Sequence, residues 1–257
     1  MSYVKQYLIA LVLLIIMQNF SILEAAIRDG EKLTFTVNYG VVSAAEATLE
    51  IKSSKLYETP VWLITSNART YPFFDKIFKV RDKVESWWDK DKLRSLRFSK
   101  RLNEGTYRQY RVHYYDHANK SSTYQKWNFK KQNYSTKQVV IPEGTQDILS
   151  AFYWTRQQKL TPGKTLSIDV TTDGQTYKTL VLVHRREKID SIFGQKDCLV
   201  IEPKLKGEAV FKQSGRILIW VTDDEYKIPL KMTSQITFGA FTATLKAAEN
   251  VPFKLNN

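Results

Sequence analysis

The chain has 257 residues, with 39 Lys and Arg against 26 Asp and Glu and a formal charge of +13 at pH 7. A single cysteine, Cys198, excludes an internal disulfide, so the fold must rest on its core. In a cytoplasmic protein so basic a balance would suggest nucleic acid, but the N-terminus argues against that compartment.

Lys5 precedes the charge-free apolar run Tyr7–Met17, YLIALVLLIIM, and small residues follow at Ala25-Ala26. Basic start, apolar centre and small residues at the cut are the layout of a secretory signal. The run is shorter than the roughly 20 apolar residues of a membrane span. Residues 1–25 are therefore expected to be removed, leaving 26–257 as one β-rich domain in the periplasm. Lys5 and Glu24 cancel within the leader, so its loss leaves the charge balance unchanged. No nucleic-acid partner is expected, and contact with a membrane would be peripheral.

Beyond the leader the sequence alternates. LTFTVNYG (33–40) sets Leu33, Phe35 and Val37 against Thr34, Thr36 and Asn38, the mark of a half-buried strand. ATLEIKS (47–53) and VWLITSNAR (61–69) follow, with GVVSAAEA (40–47) as the link of a first hairpin. Pro72 opens a short helical turn holding Phe74, Ile77 and Phe78. DKVESWWD is a strand, Asp89-Lys90-Asp91 a turn, and LRSLRFSKRL the return. TYRQYRVHYY (106–115) and STYQKWNFKKQNY (122–134) alternate aromatic with basic side chains and read as a second long hairpin.

The main helix is predicted at 146–157, QDILSAFYWTRQ, with Ile148, Leu149, Phe152 and Tyr153 at helical spacing. Thr145 or Asp147 would cap it, and Leu160-Thr161-Pro162-Gly163 stops it. TLSIDVTTD and QTYKTLVLVHRR flank Asp173-Gly174, a strong hairpin signal. DCLVIEPKLK, GEAVFKQSG and RILIWV lead to IWVTDDEYKIPL (219–230) and a closing strand pair. The expected fold is mainly β: a large curled antiparallel sheet, an incomplete barrel or sandwich, with one main helix near 146–157 lying on its concave side.

Candidate chemistry is sparse. Asp223-Asp224-Glu225 are consecutive, and strand neighbours diverge, so the three acids read as a hairpin tip and not a metal site. Pro229 limits its strand to an edge or a bulge. His113, His117 and His184 lack metal-ligand spacing, and His113 is expected at a surface or interface. No GxSxG elbow or phosphate-cradling glycine loop occurs, and Cys198 lies in an apolar strand as a small hydrophobe. No catalytic residues, metal or cofactor are expected. The aromatic-basic strands are the one suggestive pattern, since rings suit sugars and acyl chains and cations suit phosphate or carboxylate. Trp87, Trp88, Tyr110, Arg111, Tyr114 and Trp127 are the candidate ligand-binding residues.

Five stretches, GEKLTFTVNYGVVSAAEATLEI, KVRDKVESWWDKDKLRSLRF, DILSAFYWTRQQKLTPGK, REKIDSIFGQKDCLVIEP and GRILIWVTDDEYKIPLKMTSQITFGAFTATL, together resemble exported bacterial proteins of domain of unknown function family 3108. The resemblance runs nearly the whole mature chain and is most specific at DILSAFYWTR and IWVTDDEYKIP. Ser43-Ala44-Ala45 departs from it, where a glycine nearer the hairpin turn is expected. The family implies a fold and an exported location and no reaction. The strand–Asp turn–strand SWWDKDKLRSLRF is also similar to repeats in periplasmic lipoprotein carriers, whose half-barrels close on an apolar cavity. The expectation is a non-enzymatic envelope protein that binds an amphipathic or anionic envelope ligand, a lipid or a glycan. The alternative is a scaffold module that docks an envelope protein, and an envelope hydrolase is less favoured.

Overall fold

The computed structural model describes residues 27–205, 215–236 and 239–255. The predicted signal segment and most of GEAVFKQSG lie outside the described residues. In chain order the elements are β1 (Glu31–Tyr39), β2 (Val42–Leu56), β3 (Thr59–Thr70), α1 (Pro72–Asp75), β4 (Arg81–Asp89), β5 (Ser95–Glu104), β6 (Tyr107–Asp116), β7 (Ser121–Asn128) and β8 (Asn133–Val140). Then come α2 (Ile148–Arg156), β9 (Thr165–Thr172), β10 (Gln175–Ser191), β11 (Gly194–Leu205), β12 (Ile217–Thr222), β13 (Pro229–Ile236) and β14 (Gly239–Glu249).

All 14 strands form one sheet in the order β8-β7-β6-β5-β4-β3-β2-β1-β14-β13-β12-β11-β10-β9. Every strand pairing is antiparallel. Two meanders, β1–β8 and β9–β14, therefore meet at β1 and β14. So wide a sheet must curl or expose its edges, and this one curls without closing. The edge strands β8 and β9 do not pair with each other. The chain after β8 spans the gap instead. Gln146 makes a parallel bridge with Val170, and the Thr176 hydroxyl donates to the Val140 carbonyl at 3.0 Å.

The main helix forms where the apolar spacing predicts it and two residues shorter at its start. Asp147 is the N-cap: its carboxylate accepts from the backbone amides of Leu149 and Ser150, and the Ser150 hydroxyl accepts in return from the Asp147 amide. Such a reciprocal box satisfies amides that the first turn leaves open. The helix lies inside the curl. Tyr153 packs with Ile51, Ile64 and Trp88 on one side, while Ala151, Phe152 and Trp154 pack with Ile168, Val170, Val181 and Ile201 on the other. At its C-terminal end Arg156 forms a bidentate ion pair with Glu31, both 1% exposed, and also donates to the Tyr226 carbonyl. Burial opposes the charge on Arg156, but Glu31 outweighs it and the guanidinium is held above its ordinary range.

Two local expectations meet a different structure, and two others are met. The first hairpin turns tightly at Gly40-Val41, with Gly40 at φ 56°, and β2 begins at Val42. Gly40 itself supplies the left-handed turn, so Ser43-Ala44-Ala45 are strand residues. STYQKWNFKKQNY is two strands, because Asn128 accepts from the amides of Lys130 and Lys131 and bends the chain there. Pro229 starts an interior strand and sits at the bulge opposite Trp220 and Val221. The acids of IWVTDDEYKIPL form a turn: the Asp224 carboxylate accepts from the Thr222 hydroxyl and from the amides of Tyr226 and Lys227, and Asp223 pairs with Arg186.

Candidate functional site

The site is built where the curl leaves space. Between α2 and the strands that face it lies a cavity of about 960 Å³. Phe35 of β1 and Ala47 and Leu49 of β2 form one wall. Leu149, Ala151 and Phe152 of α2 form the floor. The far wall comes from Ile168, Val170 and Val181 of β9 and β10, then Ile201, Ile219, Met232 and Ala243 across β11 to β14. Strand alternation explains how these meet. Ile201, Ile219, Met232, Ala243 and Val37 are successive partners across neighbouring strands, so their side chains share the inward face.

Polar groups in the lining are few. The hydroxyls of Thr172 and Thr179 are buried and have no hydrogen-bond partner within the protein. An unpartnered buried hydroxyl is costly, so these mark where a bound molecule or water would be held. A charged cluster stands where β11 ends and β12 begins. Glu202 accepts from His184 Nε2 at 2.6 Å and from the Arg216 guanidinium at 3.2 Å, with Lys204 beside it in the lining. Burial opposes ionisation of Glu202, but those two partners outweigh it and hold the carboxyl below its usual range.

The six candidate residues lie elsewhere, and none of them lines the cavity. They do not form one site. Trp88 is fully buried against Tyr153, Ile51 and Ile64. Arg111 faces inward and pairs with Asp173 at the β9–β10 turn. The other four lie on the outer face of β4–β7. Trp87, Arg97 and Tyr114 are cross-strand partners, and the Arg97 guanidinium sits 4.4 Å from the Trp87 ring and 5.4 Å from that of Tyr114. Arg101 lies 4.9 Å over Tyr110, while Trp127 meets Tyr134 edge-on at 4.8 Å. Strand parity separates the set: Tyr110 and Tyr114 share a face that Arg111 does not.

Inside the curl, the β9–β10 turn docks on β5–β7. Asp173 pairs with Lys100 and Arg111, Lys137 donates to the Gly174 carbonyl, and Gly174 lies on the Tyr124 ring. His113 is buried here, not at a surface, because its Nε2 accepts from the Gly174 amide and its Nδ1 meets the Ser122 hydroxyl at 3.0 Å. Burial lowers its pKa to about 4, so the ring is neutral at physiological pH. Asp147 is also buried, which pushes its carboxyl up, although hydroxyls of Ser86 and Ser95 both donate to it. Cys198 is buried, and burial pushes its thiol up to about 12, far from the range of a nucleophile. Among the described residues no group of three His, Cys, Asp or Glu is placed to hold a metal, and no helix is long and apolar enough to cross a membrane.

Residues 34–246 match the model of the family described as Protein of unknown function (DUF3108). The chain belongs to that family. Among solved structures it is similar to a beta-barrel-like protein of domain of unknown function DUF1849 from Brucella abortus, at 10% identity and a TM-score of 0.54. That alignment covers 87% of this chain and 98% of the other, and the likeness is one of fold. A weaker match is to a protein of YmcC-like fold from Bacteroides fragilis, at 8% identity and a TM-score of 0.30, covering 86% of this chain and 96% of that one. No curated protein matches the sequence.

Proposed function

We propose that this member of the DUF3108 family is an exported, non-enzymatic carrier that holds the apolar part of an amphipathic envelope lipid inside its curled sheet. The observation that carries the reading is the cavity of about 960 Å³, at the upper end of the roughly 300–1,000 Å³ of small-molecule sites. Its walls are Ala, Val, Ile, Leu, Met and Phe from eight strands and one helix. A scaffold has no use for such a void, since an unfilled cavity forfeits packing contacts. The unpartnered hydroxyls of Thr172 and Thr179 and the Arg216–Glu202–His184 cluster would meet the polar part of the ligand.

Three buried reactive side chains away from the cavity have structural roles. Asp147 caps α2, Glu31 pairs with Arg156, and Cys198 is sealed in the core. Export rests on the leader pattern at 1–25, and N-terminal sequencing of the mature protein should begin at Ala26. The carrier reading is tested by solvent extraction of protein purified from its native host without detergent, followed by mass spectrometry. About one lipid per chain is expected. Recovery of no amphiphile, together with no uptake from total envelope-lipid extract, would refute it.

A further inference from the structure

A meander places alternate turns at the same edge of its sheet. The β1–β2, β3–β4, β5–β6 and β7–β8 turns thus lie along one edge of the β1–β8 arm. That edge is apolar and basic at once. On the β3–β4 connection, Phe73 is 69% exposed and Ile77 71%, and Phe78 beside them is half exposed. Next along, Tyr107 of the β5–β6 turn and Phe129 of the β7–β8 turn are exposed as well. On the other side Val41, at the tip of the β1–β2 turn, is 98% exposed. The β3–β4 and β5–β6 connections are joined: the Phe78 ring packs beside Gly105, and the Gly105 amide donates to the Lys79 carbonyl at 2.8 Å.

Cations are interleaved with these side chains at Lys76, Lys79, Arg108, Lys130 and Lys131, all exposed. The nearby acids do not offset them freely. Asp75 is bound by Arg81, and Asp82 accepts from the Asn103 amide. The opposite edge has another character. Its turns carry Glu58, Asp89, Asp91, Asp116 and the Asp223-Asp224-Glu225 run with Lys90, Lys92, Lys120 and Lys227 between them, and among them Tyr57 is the one large apolar side chain well exposed.

Exposed rings and aliphatic side chains among lysines are the chemistry of an interfacial membrane contact. The apolar groups enter the headgroup boundary, and each cation near an anionic surface adds to the attraction. We infer that this edge docks the protein peripherally on an anionic lipid bilayer, through α1 and the β5–β6 and β7–β8 turns. The inference does not depend on what the cavity holds.

The test is co-sedimentation of the full mature chain with vesicles of phosphatidylcholine alone and of phosphatidylcholine with 30% phosphatidylglycerol, a composition of roughly the anionic strength the argument needs. Binding to the anionic vesicles is expected, with little to the neutral ones. The double variant Phe73→Asp, Ile77→Asp should lower the partition coefficient at least about tenfold, given the apolar area withdrawn from the interface. Lys130→Glu, Lys131→Glu should weaken binding and flatten its salt dependence. Tyr57→Asp, on the opposite edge, should change nothing. Unaltered thermal unfolding would certify that each variant is folded. Wild-type protein that ignores anionic vesicles, or a Tyr57→Asp variant that loses as much binding as the double variant, would overturn the inference.

Discussion

The two arms of the sheet use the same alternating strands and fill their insides differently. In the β1–β8 arm the inward positions beneath α2 carry Trp88, Phe98, Tyr115, Tyr124 and His113, and these pack against the helix and the β9–β10 turn. On the other side of α2 the inward positions are Ala47 of β2, at the seam, and Ala243, Ile201, Ile219 and Met232 of the second arm, and a cavity remains. Sheet and helix are held at a distance by the large residues of the first arm. The smaller residues of the second arm cannot span that distance. An aromatic-rich arm therefore acts as the spacer, and the aliphatic arm as the container.

The seam between the arms gives the largest test of that comparison. Glu31 starts β1 and binds the end of α2 through Arg156. Glu31→Gln leaves a guanidinium buried without its counter-charge and should cost about 3–5 kcal/mol, measured by urea unfolding. A loss below about 1 kcal/mol would mean that the helix is placed by packing alone.

Next in size is a pair of substitutions, one in the filled interior and one in the cavity wall. Trp88→Ala removes the spacer under Tyr153 and should cost about 3–5 kcal/mol. Ala47→Phe adds a ring to the container wall, where the cavity accepts it, and should cost less than about 1 kcal/mol. Comparable losses would mean that the two regions are equally packed.

The clasp between the arms should respond to acid. His113 has an unfolded pKa near 6.5 and a folded one of about 4. As pH falls through that window the unfolded chain takes up a proton that the folded chain does not, so stability drops with pH and levels off near pH 4. The full loss is about 3 kcal/mol. Asp173, held below the usual carboxylate range by Lys100 and Arg111 against the effect of its burial, adds to the loss only at lower pH. In His113→Gln the slope between pH 6.5 and 4 should shrink, as read from urea midpoints. An unchanged slope would place the proton uptake elsewhere.

The smallest effect belongs to the acid turn. Asp224→Ala removes the acceptor for two amides and one hydroxyl and should cost about 1 kcal/mol without altering ligand content. A change in bound lipid would show that the turn does more than join β12 to β13.

Most of the fold was legible because alternation, capping and turn chemistry are local. The period of LTFTVNYG, the Asp147 cap, the Asp173-Gly174 hairpin and the bulge at Pro229 each follow from a few adjacent residues. The break between β7 and β8 was hidden since no glycine or proline marks it. An asparagine side chain and Gln132 at φ 52° form that turn. The cavity was hidden for a different reason. Ala47, Ala151 and Ala243 are far apart in the chain, and only the curl brings them together. The aromatic-basic pattern drew attention to Trp87, Tyr110 and Tyr114. Those rings are engaged with Arg97 and Arg101 on the outer face. Size at an inward position, not aromatic content, distinguishes spacer from container, and sequence parity alone does not say which face is inward.

One titration separates the cavity from the outer aromatic face: a dansyl-labelled fatty acid added to wild-type protein, to Ala47→Phe and to Trp87→Ala. A ligand held in the cavity gives saturable binding to wild type at about one probe per chain, at least about tenfold weaker binding to Ala47→Phe, and unchanged binding to Trp87→Ala. Full binding by Ala47→Phe with loss in Trp87→Ala would place the ligand on the outer aromatic face and contradict the cavity reading.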